Sequence, residues 1–69
     1  MDKRKAIIEA ILFTMGESVE ISRLAEVIDS DVKTTKSLLG EMQQEYAERD
    51  GGIQLLILDD AVQLCTRKE

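Results

Sequence analysis

The sequence predicts a mostly helical α+β fold of the winged-helix kind: a three-helix, helix-turn-helix core followed by a C-terminal two-stranded β-hairpin wing. Two observations predict it. Apolar residues recur at helical spacing in three successive runs up to Arg49. Past Gly51-Gly52 the apolar period drops from about 3.6 residues to two, with the turn-forming pair Asp59-Asp60 between two such stretches.

The first run spans Lys3 to Met15 and holds Ala6, Ile7, Ile8, Ala10, Ile11, Leu12, Phe13 and Met15, with Gly16 placed to stop the helix in a left-handed cap. Val19 is expected in a short strand. Ile21, Leu24, Ala25 and Ile28 then follow the i, i+3, i+4, i+7 spacing of one helical face, so the second helix is brief. Either Ser30 or Asp31 can accept the free amides that open the third helix. That helix runs from Asp31 or Val32 to Arg49 on Val32, Thr35, Leu38, Leu39, Met42 and Tyr46. In the hairpin, a turn at Asp59-Asp60 sets Ile57 opposite Val62 and Leu55 opposite Leu64, giving one apolar face to cover the helices.

At 69 residues the chain holds one domain, spanning residues 1–69, with no repeat, low-complexity tract or proline. A domain this short buries only roughly 60% of the surface its unfolded chain exposes, so a staple or a partner is valuable to it. One cysteine, Cys65, and no histidine exclude an internal disulfide and the usual Cys/His zinc cluster. No metal or other cofactor is expected, and self-association or a partner remains. The apolar stretches are far shorter than the ~18–20 residues of a membrane span. The basic start Lys3, Arg4, Lys5 is not followed by a signal-peptide pattern, because Glu9 interrupts the apolar run. A cytoplasmic location is the expectation.

Catalysis finds no footing. Without histidine there is no familiar base at neutral pH and no triad. Asp59 with Asp60, and Glu41 with Glu45, fit a turn and a solvated helix face. Gly51-Gly52 is a helix stop, too short to cradle a phosphate, and Cys65 reads as a small apolar filler beside Arg67. The rival function is that of a winged-helix DNA-binding transcriptional regulator, since the second helix of a helix-turn-helix normally enters the major groove. The charges oppose it. Nine basic side chains face fourteen acidic ones, for a net charge of -5. Lys33, Lys36 and Arg49 are accompanied by Asp31, Glu41, Glu45, Glu48 and Asp50, and the wing tip is Asp59-Asp60, so phosphate neutralisation is lacking. No direct sequence-specific DNA binding is expected.

The apolar surface exceeds what one small core uses. Only Lys5, Glu9 and Thr14 interrupt the apolar run of the first helix from residue 5 on. With Ile7, Ala10 and Ile11 serving the core, Ile8, Leu12 and Met15 are left on an outward face. On the hairpin, Ile53, Leu55, Ile57, Val62 and Leu64 point inward and Leu56, Leu58, Ala61 and Cys65 outward. The candidate dimer or partner interface is therefore Ile8, Leu12, Met15, Leu56 and Leu58. A charge at Ile8 or Leu12 is then expected to split a dimer. The alternative is that the protomer's own helices cover both faces.

The runs Ala6-Ile7-Ile8-Glu9-Ala10-Ile11-Leu12-Phe13, Gly16-Glu17, Val19 and Leu24-Ala25-Glu26-Val27-Ile28 resemble the opening of the segregation and condensation protein B family. So do Leu38-Leu39 with Tyr46, Gly52-Ile53, Gln63-Leu64 and Thr66-Arg67. The match holds register from about Lys5 to Glu69; Ser18 stands where the family often has proline, and Val62 where an aromatic residue is common. The resemblance implies a non-catalytic subunit of the bacterial condensin-like complex, acting in chromosome condensation and segregation. Such a subunit homodimerises and binds the kleisin subunit, segregation and condensation protein A, which joins the structural-maintenance-of-chromosomes ATPase. It also implies that this chain is the N-terminal part of a two-domain protein, associated with the nucleoid through the complex.

Overall fold

The computed structural model describes residues 3–49 and 51–66; Met1, Asp2, Asp50, Arg67 of the Thr66-Arg67 pair, Lys68 and Glu69 lie outside the described residues. Helix α1 spans Lys3–Met15, strand β1 Val19–Glu20, α2 Ile21–Val27, α3 Val32–Glu48, β2 Ile53–Ile57 and β3 Ala61–Thr66. The winged-helix expectation is met, including the short strand at Val19.

Local chemistry sets the boundaries. Gly16 ends α1 at φ +69°, a conformation that costs a residue with a Cβ. Asp31 caps α3: its carboxylate accepts the Thr34 amide at 2.8 Å. That contact, through the Thr34 side chain and amide, holds the Asp31 carboxyl below its ordinary range. Thr35, fully buried, donates its hydroxyl to the Asp31 carbonyl at 2.8 Å and so leaves no polar atom stranded.

The three strands form an antiparallel sheet ordered β1-β3-β2. Ile57 pairs with Val62 and Leu55 with Leu64, the register set by the Asp59-Asp60 turn. The Leu58 amide closes that turn on the Ala61 carbonyl at 2.7 Å. β1 joins the other side of β3 with Val19 opposite Val62. Leu55 and Val62 therefore reach the core from adjacent strands, where they meet Ile8, Leu12, Ile21, Leu24, Leu39 and Met42. Ile53 and Ile57, expected inward, are the first and last residues of β2 and are each 36% exposed.

In α1 the expected face is reversed. Ile8 and Leu12, read as outward, are 0% and 1% exposed, whereas Ile7, read as core, is 37% exposed and Ala10 is also exposed. Ile11 is only partly buried. The cause is the polar strip. Lys5 and Glu9 do not face solvent but lie on the side of α1 that meets α3, and they carry Ile8 and Leu12 inward with them.

Candidate interaction surface

The seam between α1 and α3 fixes which side of α1 is left over. Lys5 Nζ lies 2.8 Å from Glu41 Oε1 and 2.8 Å from Glu45 Oε2, so both glutamates read from sequence as a solvated face are ion-pair partners. These contacts raise the Lys5 pKa above its ordinary value, the Glu41 and Glu45 hydrogen bonds being the main causes. One turn further on, the Tyr46 hydroxyl donates to the Glu9 carboxylate. The Arg49 guanidinium stacks 4.8 Å from the Tyr46 ring centre. Burial, with the Glu9 contact second, pushes the Tyr46 phenol up to about 12. Sequence periodicity could not show this seam. The spacing of Lys5 and Glu9, four apart, and of Glu41 and Glu45, also four apart, was the available sign.

With that side sealed, the opposite side of α1 is open. Ala6, Ile7, Ala10, Phe13 and Thr14 are all exposed, Phe13 by 75%. Their strip continues onto the sheet. Ala6, Ala10 and Phe13, with Glu9, Tyr46, Arg49, Ile53 and Leu64, line an open groove of about 330 Å³. Phe13, Ile53 and Leu64 also border a neighbouring depression that extends to Cys65 and Thr66. Met15, predicted as interfacial, extends the strip and is 51% exposed.

Leu56 and Leu58, the other predicted interface residues, are exposed by 39% and 50% on the hairpin. β2 is an edge strand, and its outer side is partly covered, since Gln43 Nε2 donates to the Leu55 carbonyl at 3.1 Å. The predicted interface set is thus divided: Ile8 and Leu12 lie in the core, while Met15, Leu56 and Leu58 lie on the surface. Sequence reasoning missed Phe13, Ala6 and Ala10 as surface residues because it put the wrong side of α1 inward.

The would-be DNA-reading side is polar and mixed in charge. Lys36 and Val32 of α3 share a shallow depression with Glu20, Ile21, Ser22 and Asp60 of the wing tip. Among the described residues no group of three or more Cys, Asp or Glu is gathered as a metal would require. No helix among them is long and apolar enough to cross a membrane.

Comparison with known proteins agrees with this architecture. Residues 6–69 match the family model described as segregation and condensation complex subunit ScpB. A segregation and condensation protein B from Lachnoclostridium phytofermentans is 43% identical over 67 residues, which is 97% of this chain and 35% of that protein. One from Agathobacter rectalis is 50% identical over 66 residues, 94% of this chain and 35% of that protein. The chain thus spans about a third of the length of these relatives. Among solved structures, a dimer of a ScpB N-terminal domain complexed with a ScpA peptide superposes with a TM-score of 0.88. It is 34% identical and covers 97% of this chain and 78% of that one. With three helices, a three-stranded antiparallel sheet and a family match over nearly its whole length, the chain belongs to the segregation and condensation protein B family.

Proposed function

We infer that this chain is a non-catalytic subunit of a bacterial condensin-like complex. In this reading it forms a homodimer, binds the kleisin subunit, segregation and condensation protein A, and through it serves the structural-maintenance-of-chromosomes ATPase in chromosome condensation and segregation. It works in the cytoplasm, at the nucleoid. The observation that carries the reading is the exposed apolar strip of α1, continued by Ile53 and Leu64, in a domain whose core is already filled. The similar dimer with a bound ScpA peptide supports it. Self-association is assigned to the strip of α1 with Met15 at its end. The hairpin residues Leu56 and Leu58 offer a second apolar surface, assigned here to the kleisin.

The test is sedimentation equilibrium together with titration of a kleisin peptide. The unmodified chain is expected to sediment as a dimer. Phe13→Glu is expected to give a folded monomer, because a carboxylate trapped in an apolar interface costs several kcal/mol. Leu56→Lys combined with Leu58→Lys is expected to leave the dimer intact and weaken peptide binding. A monomer at high micromolar concentration that also ignores the peptide refutes the reading.

A further inference from the structure

Helix α1 contains one pattern twice, a residue out of step. Lys5 puts its ammonium between Glu41 and Glu45, and Ile8 and Leu12 are the two apolar side chains of α1 that are almost wholly buried. Arg4, Ile7 and Ile11 repeat that spacing, a cation followed at three and seven residues by branched apolar side chains. Sliding a helix along its own path by one residue means a turn of about 100° and a rise of about 1.5 Å. Such a slip carries Arg4 to the place of Lys5, Ile7 to that of Ile8 and Ile11 to that of Leu12. Each place receives a side chain of matching charge or similar volume, the kind of exchange a core tolerates best. Lys5 and Glu9 move to the places of Ala6 and Ala10, both exposed.

Three differences oppose the slip. The Tyr46 hydroxyl, which donates to the Glu9 carboxylate, would face Ile8 instead. Ala10 would take the half-buried place of Ile11 beside the core, with less apolar surface to bury. Met15 would fall where Gly16 now stands at φ +69°, a conformation costly to a residue with a Cβ. Of the Lys5 and Glu9 contacts across the seam with α3, the first has a stand-in one residue away and the second has none.

We propose that α1 has two registers on the same core, and that the hydrogen bond from Tyr46 to Glu9 is the positioning contact that selects the observed one. The other register uses the face that apolar periodicity alone offers as core, Ile7, Ala10 and Ile11. The choice decides what the helix shows outside. In the observed register the open strip is built on Ala6, Ile7, Ala10 and Phe13. After the slip Lys5 and Glu9 occupy the places of Ala6 and Ala10, so two charges interrupt the strip and it no longer forms a contiguous apolar patch. The Glu9 contact thus acts as a switch between an apolar and a charged surface, whichever partner the apolar one receives.

Methyl-resolved NMR of the whole chain reads the register directly. In the unmodified chain the Ile8 and Leu12 methyls should show nuclear Overhauser contacts to buried methyls of Leu24, Leu39 and Val62, and Ile7 should lack them. Tyr46→Phe removes the selecting bond, and loss of one such bond should favour the slipped register about fivefold. Adding Ala10→Ile removes the second difference as well. In the double variant a second set of α1 resonances is expected, in which Ile7 contacts the buried methyls and Leu12 does not; Tyr46→Phe alone should show the same set more weakly. Adding Ile7→Lys, a charge buried only after the slip, should abolish that set. A double variant that keeps only the Ile8 and Leu12 contacts overturns the proposal. So does one in which α1 loses its core contacts without Ile7 gaining any, since the helix then detaches instead of slipping.

Discussion

The ammonium of Lys5 sits between two α3 carboxylates, and one turn along Tyr46 bonds Glu9; together these contacts turn α1 so that Ile8 and Leu12 point into the core. Ile8→Glu is accordingly expected to unfold the protomer, since an unpaired carboxylate at a fully buried position costs several kcal/mol. Phe13→Glu on the opposite side should keep its circular dichroism spectrum, so the two spectra separate a core position from a surface one. Tyr46→Phe should lower stability by about 1 kcal/mol through loss of the hydrogen bond, read by urea denaturation. Because the folded Tyr46 phenol is raised to about 12 from 10.0, its contribution is complete below pH 10. It is lost as the pH rises towards 12. Tyr46→Phe should therefore show a shallower stability decline than the parent in that alkaline window. An unchanged slope would deny the phenol any part in it.

At the scale of elements, α2 and α3 were legible because each has one apolar and one polar side: Leu38, Leu39, Met42 and Tyr46 are buried as their spacing requires. The Asp59-Asp60 turn fixed the pairing of Leu55 with Leu64. α1 was not legible to the same degree. A helix apolar nearly all round has no periodicity from which to choose a face, and its polar residues pointed the wrong way because their partners lie about 35 to 40 residues later in the chain. Only the third dimension brings Lys5 to Glu45. The same limit hid the interaction strip, of which Ile7 and Ala10 were read from sequence as core and Ala6 and Phe13 were assigned to neither side. α3 also contains a correctable weakness. Gly40 sits exposed in mid-helix, and a Cβ there would meet nothing within 4 Å. Gly40→Ala should therefore stabilise the domain by roughly 0.5–1 kcal/mol, seen as a higher denaturation midpoint with an unchanged slope.

For the whole molecule, the charge distribution decides what the winged-helix shape is used for. A net charge of -5, with Asp60 and Glu20 around Lys36 where a wing would meet phosphates, withholds the cationic surface on which duplex affinity depends. Fluorescence anisotropy at about 150 mM salt should show no sequence-dependent affinity in the ~10⁻⁸–10⁻¹¹ M range of specific readers. Submicromolar discrimination between duplexes would restore the regulator reading. The sheet order β1-β3-β2 bears on something else, the making of the protein. Its central strand is the last element of the described chain, and Val62, fully buried, is the side chain on which both neighbouring strands converge. During synthesis from the amino end, all three helices thus emerge before the strand that closes the core. Until then Ile8, Leu12 and Leu55 are left without their lid. A chain truncated after Leu58 should consequently lose cooperative thermal unfolding, although every helix is still encoded. Folding of the described domain is expected to wait on β3, and a nascent chain stalled before that strand would display its interior as bait for chaperones.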